Sequence, residues 1–199
     1  MMSTSRIKSQ PAYPPLEWDR GGRQHIVFAA AEEPALARRL FEWPPLGETV
    51  VLSVQEAQSP AEGGWLAGLP SGVEPRSAPR LDAALQQLDH LLEHADMGAR
   101  LYLVGDEDAI WQASRVADRW GMGADAVRRH RVGTQARPVY CVHCRAITRH
   151  VVTNIVECDG CGRALFVRDH FSRRLGAYMG FQVDAEAPGE RPAVEEIYR

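Results

Sequence analysis

The four cysteines of this 199-residue chain stand in two closely spaced pairs. Cys141 and Cys144 form one C-x-x-C pair, Cys158 and Cys161 form the second, and thirteen residues separate the pairs. Each C-x-x-C turn presents two thiolates from one tight bend, and tetrahedral Zn²⁺ takes four such soft ligands at about 2.3 Å. The pattern therefore predicts that these four residues bind one metal ion and that the surrounding chain folds around it.

The ligand set leaves alternatives to zinc. Rubredoxin-type iron and iron–sulfur clusters also use cysteine thiolates, and oxidised cysteines would instead pair as disulfides. Disulfides fit poorly, because the rest of the chain is typical of an intracellular protein. We favour Zn²⁺, and four cysteines on one ion leave no position open for a water molecule. The predicted metal is therefore structural rather than catalytic.

Composition narrows the class of protein. The chain is 45% hydrophobic and 25% charged with a net charge of −3, which is typical of a globular protein and argues against a dedicated nucleic-acid binder. It has no run of 18 apolar residues and no apolar secretory segment near its start. We expect a cytoplasmic protein without a membrane partner.

Strand and helix patterns alternate through the middle of the chain. Pro34 suits the first turn of a helix, Asp106 can cap another, and Gly98 and Gly121 are predicted to close helices. The inward face of the last helix is predicted to include Trp120. This alternation predicts an α/β fold, a small parallel, Rossmann-like sheet covered on both faces. The predicted strands lie at 25–30, 48–55, 72–76, 100–105 and 127–132.

A nucleotide site would lie at the carboxyl ends of these strands. The segments there, 30–33, 55–60 and 105–106, are not glycine-rich. Glu32 and Glu33 stand where a phosphate would need the positive end of a helix. We therefore expect no nucleotide cofactor on this chain.

The part of the chain around the cysteines predicts a zinc ribbon of two hairpins. Residues 148–156 and 164–167 favour strands, and metal binding would supply most of the folding free energy of so small a unit. The predicted organisation is an extended arm, a Rossmann-like domain, a zinc ribbon and an acidic tail. Their bounds are 1–21, 22–135, 136–180 and 181–199.

Several histidines could bind metal or catalyse. His143 and His150 lie near the cysteines but are not expected to replace them, and His90 and His94, four apart, are expected on a solvated helix surface. His170 follows an aspartate, yet neighbours in sequence seldom converge on one substrate, so a subunit contact is favoured over catalysis. We expect no catalytic residue on this chain.

A basic run at 128–131 could bind phosphate or an acidic protein. We interpret it as the charged, exposed end of a strand.

Two family resemblances follow from these motifs. Leu101–Ile110, followed by a helix and Gly121, resembles the end of the nucleotide domain of ferredoxin-reductase-type proteins. That family has Cys-Gly-Pro where this chain has Val104-Gly105-Asp106, and its glycine-rich first loop is missing here. The resemblance implies a reductase-like shell whose nucleotide site is degenerate.

The second resemblance covers the C-terminal third. The cysteine pattern, Gly162–Arg174, Ala177–Gly180 and Asp184–Gly189 resemble the small A-type subunit of bacterial dimethylamine monooxygenase, an NAD(P)H-dependent N-demethylase. The resemblance implies an accessory subunit in methylamine metabolism. Its partners would be a flavin/2Fe–2S reductase subunit and a haem-dependent oxygenase subunit, joined in a hetero-oligomer that acts on a secondary amine.

Two other functions remain open from the residues alone. A zinc ribbon can act as an adaptor or regulator that binds nucleic acid or protein, although the acidic balance of this chain opposes nucleic acid. Iron at the four cysteines would instead make an electron carrier.

Overall fold

The chain forms two compact units. The computed structural model describes residues 9–55 and 64–199. The parallel-sheet unit comprises residues 13–133, and the cysteine unit comprises residues 134–199 with residues 9–12. Within the described residues, no helix is both long and apolar enough to cross a membrane.

The parallel-sheet unit confirms the predicted α/β fold. Its five strands lie side by side in the order β3-β2-β1-β4-β5, and each pairs in parallel with its neighbours. This order and direction are typical of a doubly wound sheet. The strands are β1 Gln24–Ala29, β2 Glu48–Val54, β3 Val73–Ala78, β4 Ala99–Gly105 and β5 Val127–Arg131. The helices are α1 Pro34–Glu42, α2 Leu81–Glu93 and α3 Glu107–Arg119.

Both faces of this sheet are covered. On one face, Val27 and Val104 pack with Leu40 of α1 and with the buried Trp65. Alternate strand residues such as Phe28 are equally buried, so the second face is covered as well. There α2 contacts β2 and β3, whereas α3 contacts β4, β5 and α2.

Local signals set the helix ends largely as predicted. Pro34 occupies the first turn of α1. Asp106 Oδ1 accepts a hydrogen bond of 2.8 Å from the backbone N–H of Ala109, which satisfies one free donor of α3. Gly121 has a φ of 69°, a left-handed conformation that glycine adopts readily just beyond a helix.

Two predicted helix features are wrong. Helix α2 ends at Glu93, before Gly98, whose φ of 104° belongs to the turn into β4. Trp120 does not face inward, because α3 has already ended at Arg119 and the helical periodicity no longer applies. Trp120 is 43% exposed, and its Nε1 donates to Asp89 Oδ1 at 3.0 Å.

The basic run in β5 is half-buried rather than exposed, which corrects our interpretation of it. Arg129 Nε donates to Ser114 Oγ at 2.8 Å, and its guanidinium lies 4.9 Å from the ring centre of Trp111. Arg131 lies over the ring of Tyr13. These arginines are therefore engaged within the unit, because their aliphatic stems and planar heads pack against aromatic side chains.

In the predicted arm, residues 9–19 have no regular secondary structure and residues 20–21 lie in a turn. Its later part packs against the parallel-sheet unit. Leu16 is buried in the core, and Trp18 Nε1 donates to the carbonyl of Leu40 at 2.7 Å. The first eight residues of the predicted arm lie outside the described residues.

The cysteine unit contains a second sheet, in the order β7-β6-β10-β9-β8. Strands β6–β7 and β8–β9 form two antiparallel hairpins, as predicted, and each has one cysteine pair at its turn. A strand that was not predicted, β10, joins them by pairing in parallel with β6 and antiparallel with β9. The strands are β6 Arg137–Cys141, β7 Ile147–Val151, β8 Ile155–Glu157, β9 Ala164–Ser172 and β10 Ala177–Gln182.

The acidic C-terminal segment is attached to this second sheet. Asn154 Oδ1 accepts from the backbone N–H of Glu195 at 2.8 Å, and Thr153 and Glu196 form an antiparallel bridge. Tyr198 is buried. The segment therefore adds packing to the cysteine unit.

Candidate metal centre

The two cysteine turns have matching backbone hydrogen bonds. In the first, Arg145 N donates to the Cys141 carbonyl, and Cys141 N donates to the carbonyl of Ala146, both at 2.9 Å. In the second, Gly162 N donates to the Cys158 carbonyl at 2.9 Å, and Cys158 N donates to the carbonyl of Arg163 at the same distance. Each hairpin therefore presents its two sulfurs from the same kind of turn.

The four sulfurs converge on one point. Cys144 Sγ lies 3.5 Å from Cys158 Sγ, Cys141 Sγ lies 3.9 Å from Cys161 Sγ, and all four lie within 4.8 Å of one another. Four sulfurs at about 2.3 Å from one tetrahedral ion would be separated by about 3.8 Å. The cluster therefore has the size that a single Cys₄-bound metal ion requires, and all four cysteines are free of disulfides.

The four thiols of the cluster interact strongly. The backbone N–H of Arg163 donates a hydrogen bond that lowers the pKa of Cys161 to about 6. At Cys144 the N–H of Ala146 also favours the thiolate, but burial and the neighbouring sulfurs together raise the pKa to about 12. Close thiolates repel one another, so without a cation they cannot all ionise at neutral pH. A bound divalent cation would stabilise all four thiolates.

Close packing and side-chain hydrogen bonds surround the cluster. A Cβ on Gly160 would lie 2.7 Å from Ala146 Cβ and 3.0 Å from Cys144 Sγ, so the second turn needs glycine there. Thr148 Oγ1 accepts from Asp159 N at 3.1 Å, which joins the second cysteine turn to β7. These contacts hold the turns in place.

The nearby histidines do not enter the cluster. His143 Nδ1 lies 3.0 Å from a guanidinium nitrogen of Arg163, which can only donate, so Nδ1 is an acceptor there. His150 is exposed on β7. With four sulfurs around one point, the arrangement is closed to water and suits a structural metal or a one-electron iron centre, not a hydrolytic metal.

Glu32 lies at the carboxyl edge of the parallel sheet, the edge where a nucleotide phosphate would bind in a fold of this kind. Its Oε2 accepts from the backbone N–H of Trp65 at 2.9 Å, and Trp65 Nε1 donates to the carbonyl of Ala31 at 3.0 Å. This carboxylate therefore fixes the segment that carries the buried Trp65. Part of the same predicted edge, residues 56–60, lies outside the described residues.

Asp169 and His170 do not form an acid–base pair in the structure. Asp169 accepts from Arg137 at 2.8 Å, whereas His170 Nδ1 lies 3.2 Å from Ser9 Oγ. The guanidinium of Arg137 also lies between the rings of Tyr178 and Tyr198, 4.0 and 3.8 Å from their centres. Sequence reasoning missed this stack, because its members are far apart along the chain.

A second feature was also missed, an exposed apolar cleft on the parallel-sheet unit. We define the Trp43 cleft as the cavity of about 550 Å³ lined by Trp18, Arg39 and residues 43–46, among others. Trp43 is 75% exposed and Leu46 is 93% exposed. Apolar side chains this exposed, and this close together, are typical of an interaction surface. The sequence signal is a tryptophan followed by two prolines, a pattern that by itself indicates only the end of a helix.

Comparisons with known proteins match both units. The model for the N-terminal domain of dimethylamine monooxygenase subunit DmmA-like proteins matches residues 5–127, and the model for their C-terminal domain matches residues 138–181. The heme-dependent oxidative N-demethylase delta subunit of Ectopseudomonas mendocina (strain ymp) is 39% identical over 101 residues. The alignment covers 51% of this chain and 58% of that relative, so the chain spans little more than half of the relative's length.

A solved structure gives a weaker match. Phthalate dioxygenase reductase, described as a modular structure for electron transfer from pyridine nucleotides to 2Fe–2S, aligns with a TM-score of 0.38 and 12% identity. The alignment covers 71% of this chain and 47% of that one. A similarity this low supports no conclusion about function.

Proposed function

This chain belongs to the family of dimethylamine monooxygenase subunit DmmA-like proteins, and from that premise we propose that it is a non-catalytic, zinc-containing accessory subunit of such a monooxygenase. The observation that carries the proposal is the closed four-sulfur cluster in a chain of this family. A closed cluster offers no position for substrate or water, so its contribution is to hold a binding surface in shape.

We propose Cys141, Cys144, Cys158 and Cys161 as the zinc ligands. Two observations support a zinc ribbon. The four sulfurs lie close enough together to bind one ion, and a hairpin leads into each cysteine pair. We assign the ribbon to residues 136–180, after an arm at 1–21 and a Rossmann-like domain at 22–135, and before a tail at 181–199. Free thiols in this arrangement suit the reducing cytoplasm, where we place the protein.

The proposed partners are a flavin/2Fe–2S reductase subunit and a haem-dependent oxygenase subunit, which together demethylate dimethylamine or a related amine with NAD(P)H. The delta-subunit relative supports a hetero-oligomer, because its description makes it one subunit of a heme-dependent N-demethylase. In this assembly the chain docks one partner to the other, or stabilises one of them, and carries no nucleotide of its own.

We propose the Trp43 cleft as the docking surface for a partner subunit. Binding would remove a large apolar area of Trp43 and Leu46 from water. Each Å² of apolar surface buried contributes about 25 cal/mol of favourable free energy. Two cations, Arg20 and Arg39, line the cleft against one acid, Glu17. The partner segment that matches this cleft would place an apolar side chain in it and a carboxylate close to Arg20 and Arg39.

Size-exclusion chromatography of the chain mixed with each proposed partner tests this docking. Trp43→Ser should weaken the complex about tenfold or more, because tryptophan is frequent among the few residues that dominate interfaces, and Leu46→Ser should weaken it less. Met97→Ser is the matched control, since Met97 is 98% exposed on the same unit but does not line the cleft. If all three variants bind like the unmodified chain, the cleft is not the docking surface.

Iron at the cysteines defines the second candidate function, an electron carrier between the partners. The sulfur geometry favours it as much as zinc, because rubredoxin-type iron also takes four cysteine ligands. Colour separates the two, since iron–thiolate centres absorb visible light and zinc–thiolate centres do not.

A further inference from the structure

A second group of potential metal ligands lies at the end of α2, far along the chain from the cysteines. His90, Glu93 and His94 each offer one ligand atom, and these atoms lie within 4.8 Å of one another. The ring centres of the two histidines are 4.5 Å apart. The spacing of four residues brings both imidazoles to one face of the helix, as in metal sites formed by a histidine pair.

A hydrogen bond determines which ring nitrogen of His94 can bind a metal. His94 Nδ1 lies 2.9 Å from the carbonyl oxygen of His90. A carbonyl only accepts, so Nδ1 carries the proton and Nε2 keeps its lone pair. Histidines that bind metals are commonly held by such a bond from the other ring nitrogen to a backbone carbonyl. The carbonyl is available because it belongs to the last turn of α2.

The charge around this pair favours a cation. Glu93 Oε2 lies 3.4 Å from His90 Nδ1. Both histidines line a cleft of about 500 Å³ together with Glu48 and Glu74. Arg76 also lines the cleft, but its Nε is held by Glu74 at 2.7 Å. Three carboxylates against one paired guanidinium leave the surroundings of the two imidazoles negative.

We propose that His90 and His94, assisted by Glu93, bind a borderline divalent transition-metal ion such as Ni²⁺, Cu²⁺ or Zn²⁺. Imidazole nitrogens are the ligands that these ions prefer, whereas Mg²⁺ and Ca²⁺ prefer oxygen. All three side chains are more than half exposed, so the ion exchanges freely and keeps water at its remaining positions. The site uses none of the cysteines and is independent of the proposed subunit function.

Equilibrium dialysis of the full, zinc-loaded chain against Ni²⁺ tests this site, because zinc keeps the cysteines occupied. We expect about one nickel per chain beyond the zinc. His90→Ala or His94→Ala should weaken nickel binding at least about tenfold, and Glu93→Gln should weaken it less. His150→Ala, which removes an exposed histidine in the other unit, is the matched control and should leave it unchanged.

Two results would overturn the proposal. One is a zinc-loaded chain that binds no nickel, and the other is equal nickel affinity in the unmodified chain and the His90→Ala/His94→Ala double variant. A second measurement needs no variant. Substoichiometric Cu²⁺ should broaden the ring resonances of His90 and His94 in the unmodified chain before those of His143 and His150, and broadening in the opposite order also contradicts the site.

Discussion

Arg145 and Gly162 occupy the same position in the two cysteine turns, one residue after the second cysteine of each pair. Their φ angles are 69° and 68°, and each donates its backbone N–H to the carbonyl of the first cysteine. Glycine adopts this left-handed conformation without a Cβ clash, whereas an arginine is strained by about 1 kcal/mol or more. The first turn therefore carries strain that the second avoids.

Exchanging these residue types should change stability in opposite directions. Gly162→Ala should destabilise the zinc-loaded cysteine unit by about 1 kcal/mol, because the nearest atom to the new Cβ, Glu157 Oε1, is 3.7 Å away and backbone strain alone acts. Arg145→Gly should stabilise it by somewhat less, since glycine also loses more entropy on folding. Thermal unfolding of both variants measures this, and a stabilising Gly162→Ala would contradict the shared conformation.

Gly160 gives a test of packing against the cluster. Gly160→Ala should lower zinc affinity at least about tenfold, because its Cβ would press on Ala146 and on the sulfur of Cys144. Adding Ala146→Gly removes the closer of the two contacts and should restore part of the affinity. A competition assay with a coloured chelator measures both variants. Equal affinity in Gly160→Ala and the unmodified chain would show that this contact does not shape the site.

The parallel sheet was predictable because its signals are local. Asp106 caps α3 through a bond to a residue three positions on, and Pro34 fixes the start of α1 by its own ring. The two cysteine hairpins were equally predictable, because the residues that form each turn follow one another directly in the sequence. Their convergence on one point followed from metal chemistry rather than from propensity.

Features that depend on distant residues were not predictable in the same way. Strand β10 joins the two hairpins through partners on β6 and β9, and no local pattern specifies that parallel pairing. The stack of Tyr178, Arg137 and Tyr198 draws on three separate parts of the chain. Trp120 was misplaced because the helical period was continued one residue past the end of α3.

Cys158→Ser should unfold the cysteine unit selectively. The unmodified chain should hold about one zinc and no visible chromophore, and the variant should lose the ion and with it the folding free energy that the ion supplies. The parallel-sheet unit should persist, because it is a separate compact unit with its own core. Metal analysis and two-dimensional amide NMR check this. Stoichiometric iron, or loss of all dispersed resonances in the variant, would contradict it.

His25 should make the parallel-sheet unit less stable in mild acid. Burial lowers the pKa of this fully buried histidine below its ordinary value of 6.5. Above pH 6.5 both the folded and unfolded chains carry it neutral, so stability is complete there. As pH falls below 6.5 the unfolded chain takes up the proton more readily, so stability declines toward the lowered pKa of the folded state. Burial also lowers the pKa of His130, which adds an effect of the same sign.

Thermal unfolding between neutral pH and pH about 5 measures this decline. His25→Gln should flatten this decline even if the variant is less stable throughout. An unchanged slope in His25→Gln would show that this histidine does not control the acid response.

We propose that this chain is a required but non-catalytic subunit. The direct measurement is amine-dependent NAD(P)H consumption by the purified reductase and haem oxygenase partners, with and without the zinc-loaded chain. We predict no consumption by the chain alone, full consumption with all three components, and a loss of at least about tenfold when the chain is omitted or carries Trp43→Ser. Partners that demethylate the amine at full rate without the chain would contradict the claim, as would NAD(P)H oxidation by the chain alone.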